Sequence, residues 1–282
     1  MSKLLFEPII IIGAARSGTK ILRDTIASHP LISSIDYDIN FIWKKYNEVI
    51  GHDALVKDHA NALIIKFVHD YFNSKLRGNK YIVEKTVSNS LRIPFTKKVF
   101  PNAKFVYLIR DGRDVVESVL RQWGSAPDKL YLFKKMLSVP VIHIFPYLVN
   151  YGKEVFLMKS GLSPTSDYVW GVKYEGYQSD LQNLSLIEFC AKQWICGVEH
   201  MRLNEKSLGN RVITIHYEDF VENSDKELLR ISEYLNVSDS EFRIPKMNTS
   251  NIGKSAVALS KSDYEKLNSI LGSTLVKLGY TI

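Results

Sequence analysis

The chain has 282 residues, 45% of them apolar and 24% charged, with a net charge of +7 and two cysteines. That is enough chain for one large domain with its own core, and too little cysteine for a disulfide scaffold. No apolar run approaches the ~20 residues that span a bilayer, the first residues do not read as a secretory leader, and the lysines and arginines are scattered rather than gathered with aromatics into a nucleic-acid stripe.

The first predicted element is a strand over Pro8 to Ile12. Four consecutive isoleucines cannot alternate between core and water, so they read as a central parallel strand buried on both faces. The strand runs into Gly13-Ala14-Ala15-Arg16-Ser17-Gly18-Thr19-Lys20 and then into a helix with apolar positions Ile21, Leu22, Thr25 and Ile26, which His29-Pro30 ends. Gly13 and Gly18 let successive amides point at one anion with the helix dipole behind them, which is the architecture of a phosphate cradle. The tail departs from the triphosphatase pattern G-x-x-x-x-G-K-[S/T]. Thr19 and Lys20 stand in the reverse order, and a shift of one position turns a helical side chain by ~100°. That argues against a kinase that uses ATP and magnesium.

A short strand at Tyr81-Ile82-Val83 ends in Glu84-Lys85-Thr86, and a helix then leads to Phe100-Pro101-Asn102-Ala103-Lys104. The next strand, Lys104 to Ile109, delivers Arg110 at its end and opens a helix with apolar face Val115, Val116, Val119 and Leu120, on which Ser118 lies about two turns along. A guanidinium fork and a hydroxyl so placed can share one phosphate. The alternative is a structural Arg-Asp-Arg cluster at a helix start.

Residues 122–183 read as a helical insertion rich in aromatics, with Trp170-Gly171-Val172-Lys173 its most pocket-like stretch. These aromatics either line an acceptor pocket or form the core of a small helical lobe. Ser185 to Glu188 is a capping box opening a helix with inner face Leu186, Cys190, Gln193, Trp194, Gly197 and Met201. Cys190 and Cys196 share that helix at roughly 9 Å, beyond disulfide reach, so reduced thiols and a cytoplasmic setting are expected. Arg211 to Ile215 reads as a further core strand leading to Tyr217-Glu218-Asp219-Phe220. Ser224 to Glu227 is a second capping box, Asn251-Ile252-Gly253-Lys254-Ser255 a polar loop, and Asp263 to Leu278 a final helix.

Together these segments resemble the sulfotransferases. Arg16-Ser17-Gly18-Thr19 is similar to their 5′-phosphosulfate loop, [K/R]-[S/T/G]-G-T. Arg110-Asp111-Gly112-Arg113-Asp114 with Ser118 resembles their 3′-phosphate motif, R-D-[P/G]-R-[D/A]-x-x-x-S. Glu84-Lys85-Thr86 with Phe100-Pro101-Asn102-Ala103-Lys104 resembles E-K-[S/T] followed by F-P-x-A-K, and Tyr217-Glu218-Asp219-Phe220 the family's Y-E-[D/E]-[L/F]. The likeness covers residues 8–38, 81–120 and 211–278 and points to the branch acting on carbohydrates and tyrosyl proteins. It implies an α/β fold, P-loop-like and three-layered, with a central mainly parallel sheet flanked by helices and a helical insertion on the substrate side.

The resemblance also implies a reaction, in-line transfer of a sulfonyl group from 3′-phosphoadenosine 5′-phosphosulfate (PAPS) to a hydroxyl or amine, leaving adenosine 3′,5′-bisphosphate (PAP), with no metal required. The nucleotide would be held by Ala15, Arg16, Ser17, Gly18, Thr19 and Lys20, by Arg110 and Ser118 at the 3′-phosphate, by Tyr217, and by Gly253 and Lys254 from a closing loop. Trp194 either stacks on the adenine or packs in the core. Arg16 and Lys85 would stabilise the transferred group and the leaving phosphate. Arginine stays protonated, so Lys85 is the better proton donor. Glu84 either takes part directly or pairs with Lys85 or Arg16. Relatives acting on sugars or tyrosine place a carboxylate base shortly after the His-Pro; by strict offset Tyr37 stands there in this chain, flanked by Asp36 and Asp38, and neither aspartate is singled out. The histidine base of small-molecule relatives is replaced by Val87, and His69 and His143 read as structural. The expected partner is a small-molecule or carbohydrate acceptor and not nucleic acid; a Mg-ATP kinase and a non-catalytic nucleotide-binding protein remain the alternatives.

Overall fold

A computed structural model describes residues 4–123 and 169–282. By its internal contacts the chain divides into one unit of residues 1–120 with 171–282 and another of residues 121–170. Most of the aromatic segment expected at 122–183, and His143, lie outside the described residues.

The first unit is built on a five-stranded sheet in which every pairing is parallel. In chain order the strands are β1 Glu7–Gly13, β2 Ile32–Ser34, β3 Tyr81–Glu84, β4 Lys104–Ile109 and β5 Val212–His216. Their spatial order is β2-β3-β1-β4-β5. The helices among the described residues are α1 Thr19–Ile26, α2 Asn40–Trp43, α3 Ala62–Lys75, α4 Ile93–Val99, α5 Gly112–Trp123, α6 Tyr177–Asn183, α7 Leu186–Leu208, α8 Tyr217–Glu222, α9 Ser224–Leu235, α10 Ser255–Ala258 and α11 Lys261–Lys277. None is long and apolar enough to cross a membrane.

The isoleucine run explains the central position of β1. Ile9, Ile10, Ile11 and Ile12 are all completely buried. Successive strand residues face opposite ways, so Ile10 and Ile12 enter a core with Trp43, Phe72, Phe95 and Phe100, while Ile9 and Ile11 enter another with Leu22, Ile26, Phe220 and Ile231. Each such side chain contributes about 2 kcal/mol of burial, and only a central parallel strand covered by helices on both faces uses all four.

Elsewhere context altered the expected boundaries. The strand at 212–216 is an edge strand with only Ile215 fully buried, because it pairs with β4 alone. Helix α1 ends at Ile26, ahead of His29-Pro30. The Ser185–Glu188 capping box forms as expected, and Ser185 N donates to Glu188 at 2.9 Å. Leu186, assigned to the inner face of that helix, is 40% exposed, because it is the helix's first residue. Ser224 is not a cap: Asn223 occupies that position, and the Ser224 hydroxyl donates to the Phe220 carbonyl of the preceding helix at 2.8 Å. Cys190 and Cys196 are both free.

Candidate active site

Because the strands are parallel, their carboxyl ends lie on one side of the sheet. The order places the end of β1 between the ends of β3 and β4, so the chain reverses direction across β1 at a topological switch point, where open α/β sheets bind ligands. Three of the sequence motifs follow these three strands directly.

The loop after β1 is tightly wound. Arg16 has φ 66° and Gly18 φ 90°. The left-handed conformation costs a residue with a side chain ~1–2 kcal/mol, a strain that persists only where the surroundings enforce it. They do so here: Ser17 is buried and its hydroxyl donates to the Ala14 carbonyl at 2.6 Å, and a Cβ on Gly18 would lie 2.5 Å from the Tyr217 ring. The amides after Gly18 open α1 without a side-chain cap, the arrangement that receives an anion. Lys20 turns outward and pairs with Asp24 one helical turn on, at 2.9 Å. Ala15 is half-buried and Thr19 buried, its methyl packed over Gly13.

Beside this loop stands the start of α5. Arg110 is 6% exposed; it donates to the carbonyls of Arg16 at 2.8 Å and Asn251 at 2.6 Å, and its guanidinium lies 4.5 Å from the centre of the Tyr217 ring. Its Nε is buried without a hydrogen-bond partner among the described residues. Arg16 Nε donates to the Ser118 hydroxyl at 3.0 Å, so residues 102 apart in sequence meet across the cradle. Asp114, a motif residue given no role by the sequence, accepts from the amides of Gly253 and Ser255 at 2.8 Å each, which ties the Gly253-Lys254 loop to the same helix. Asp111 receives Arg113 and its own amide donates to Glu218, whose other oxygen accepts from Tyr280. Trp194 is 2% exposed, and a Cβ on Gly112 would meet its ring at 2.8 Å, so the indole packs on the start of α5.

The third strand end carries Glu84 and Lys85. Glu84 is wholly buried; it accepts from the Thr86 hydroxyl and from Asn89 Nδ2 at 2.9 Å, and burial raises its pKa to about 7. Lys85 is half-buried. Asp38 reaches this segment: one of its oxygens accepts from the Val87 amide and the other from the Asn40 amide, each at 3.1 Å. Asp36 turns the other way. It is exposed and lines a groove of about 400 Å³ along the outer side of β2 with Asp24, Ser33, Arg77 and Asn79. The two aspartates, equivalent in sequence, therefore serve different surfaces.

Sequence reasoning missed a buried polar cluster behind Asp38. Asp53 accepts from Asn40, Ser88 and the Lys173 amide, each at 2.9 Å. Burial pushes its carboxyl up, but the charge of Arg92 and these hydrogen bonds outweigh it, so its pKa lies below the usual value. Arg92 is wholly buried and burial lowers its pKa to about 10. The one available signal was an arginine directly before the apolar positions Ile93, Phe95 and Val99.

A parallel α/β protein with an anion cradle at its switch point is the class these features define. Residues 8–131 match the family model described as "Sulfotransferase family". Solved structures share the fold: a sulfotransferase from Alicyclobacillus acidocaldarius has 14% identity and a TM-score of 0.53 over 98% of this chain and 97% of that one. The sulfotransferase domain of the Synechococcus PCC 7002 olefin synthase has 13% identity and 0.56 over 100% and 98%. The sulfotransferase domain from the curacin biosynthetic pathway has 15% identity and 0.55 over 99% and 100%. No curated protein matches the sequence.

Proposed function

We propose that this protein transfers a sulfonyl group from PAPS to a hydroxyl of a small-molecule or carbohydrate acceptor. The observation that carries this reading is the meeting of the β1 loop with the start of α5, where Arg16, Ser118 and Arg110 come within hydrogen-bond distance of one another's groups. Arg110 Nε is a buried donor without a partner among the described residues, a costly state that an anionic oxygen would relieve. The cradle amides suit the donor's 5′-phosphosulfate, and Arg110 with Ser118 suits its 3′-phosphate.

In-line transfer breaks the bond between sulfur and the bridging oxygen and forms one from sulfur to the acceptor oxygen. The leaving bisphosphate keeps the bridging electron pair, and the acceptor proton passes to a base. Such chemistry needs positioning and charge stabilisation above all. Arg16 and Lys85 supply the cations, and Lys85 can donate a proton to the leaving oxygen while Arg16 cannot. Asp38 is read as the base in preference to Asp36, because its carboxylate sits on the amide two residues past Lys85 while Asp36 faces the groove along β2. Glu84, held by Thr86 and Asn89, sets the conformation of the strand end that presents Lys85.

Thermal melting with PAP, run beside ATP with magnesium, tests the reading. A ligand at 100 times its dissociation constant adds about 2.7 kcal/mol, which raises the melting temperature by several degrees. Stabilisation by the bisphosphate alone is expected. Stabilisation by magnesium ATP alone would overturn the reading in favour of a kinase.

A further inference from the structure

The segment between the 3₁₀ turn Thr249–Asn251 and helix α10 is fastened to the start of α5 at two places. The Asn251 carbonyl accepts from Arg110 at 2.6 Å. Further along, the amides of Gly253 and Ser255 donate to the two oxygens of Asp114 at 2.8 Å each. Arg110 and Asp114 stand one helical turn apart on the same strand-to-helix junction, with 3.9 Å between their charged groups. A cation thus takes a carbonyl of the segment, and an anion takes its amides.

An acid in the first turn of a helix ordinarily serves the amides and dipole of its own helix. Asp114 is 1% exposed and spends both oxygens on groups 139 and 141 residues away. The backbone that receives it is shaped for an anion. Gly253 has φ 69°, in the left-handed region, and Lys254 follows at φ −62°, ψ −32°, in the right-handed one. Such a pair turns its amides to one side and makes an anion-binding concavity. Beside a phosphate site, a Gly-Lys loop of this kind invites the expectation that Gly253 holds the nucleotide. In this chain the Gly253 and Ser255 amides are already taken by the protein's own carboxylate.

Arg110 is placed differently. Its two terminal nitrogens rest on the neutral carbonyls of Arg16 and Asn251. A phosphate oxygen is the stronger acceptor for a guanidinium, so it would displace such a carbonyl, whereas Asp114 repels it from the paired amides. We propose that Asp114 is a positioning residue of the 3′-phosphate site: it anchors residues 251–255 to α5, so that the Asn251 carbonyl is the exchangeable partner of Arg110, given up to the phosphate while the segment stays in place. This rests on the reading of Arg110 as the residue that holds the 3′-phosphate.

Amide hydrogen exchange on the full chain, read by NMR, tests the anchor without any ligand. The Gly253 and Ser255 amides are expected to exchange about tenfold faster or more in D114N than in wild type, and equal rates in folded D114N overturn the proposal. Should D114N fail to fold, the wild type decides: under saturating PAP both amides are expected to stay protected, and loss of protection shows the segment leaving α5 and overturns it. Titration calorimetry supplies a readout that a merely structural role would not move. D114N should weaken PAP by about tenfold and adenosine 5′-monophosphate, which lacks the 3′-phosphate, by less than about twofold. Equal losses for both ligands, or an unchanged PAP affinity, overturn the proposal. Wild-type protein that does not bind PAP overturns the functional reading, whereas normal PAP binding with exchange insensitive to D114N overturns the role of Asp114 alone.

Discussion

The proposed donor side and the proposed acceptor side are built on opposite principles. At the proposed donor side the groups assigned to binding are backbone amides and two motif residues, carried by the segments that follow β1 and β4. Its long-range contacts, from Arg16 to Ser118 and from Arg110 to Asn251, join groups that their own local structure already positions. At the acceptor side no short segment suffices. Asp38, Asp53, the segment from Ser88 to Arg92 and Lys173 come from four separate stretches and are held by side-chain hydrogen bonds. A cradle made of backbone tolerates sequence change around it, whereas a buried polar network does not, because each lost partner leaves another group unsatisfied.

The largest expected effect sharpens the donor half of this contrast. Arg110→Ala removes the buried fork and should weaken PAP binding by about 100-fold or more, as a lost charge-assisted bidentate contact does; isothermal titration measures it, and normal binding would show that the site is misassigned. The acceptor half is broken next. Asp38→Asn should lower turnover by about 100- to 1000-fold, the range of a lost general base, with PAP affinity within about threefold. Asp36→Asn should leave both rates and affinity within about twofold, and a loss of turnover there would exchange the two roles.

Smaller effects test the packing on each side. Gly112→Ala places a Cβ 2.8 Å from the buried Trp194 ring and should cost about 2 kcal/mol of stability by overpacking, read as a drop of several degrees in melting temperature. Glu84 gives a pH signature. Its folded pKa, about 7, stands above its ordinary 4.5, so the folded state binds the proton more tightly. The stability this contributes is complete below pH ~4.5 and is lost as pH rises through ~7. Glu84→Gln should therefore gain in melting temperature relative to wild type between pH 5 and pH 8, by a few degrees. A constant difference across that range would mean Glu84 stays ionised.

Legibility followed the same division. The isoleucine run announced a central strand because β-branched residues favour strands and four in a row are all buried when both faces of the strand are covered, whereas Lys20, read with the nucleotide-holding residues, turns outward toward Asp24. The glycine at 112 was visible as part of a motif, but not the indole that requires it. Asp36 and Asp38 differ by two positions in an irregular loop where neither periodicity nor capping distinguishes them. Their separation depends on the Val87 amide, 49 residues away. Asp114 had a motif position and no role until the loop at 253–255 was seen to hang from it.

What the sequence determined by itself was the sheet's central strand and the glycine-bounded turn that follows it, since strand burial and glycine turns are fixed over a few residues. Only the tertiary structure decided which aspartate reaches the Val87 amide, which groups surround the buried Arg92 and where the loop at 253–255 is tied. Those are consequences of a parallel sheet bringing distant strand ends together, and of buried charges finding partners that lie far away along the chain.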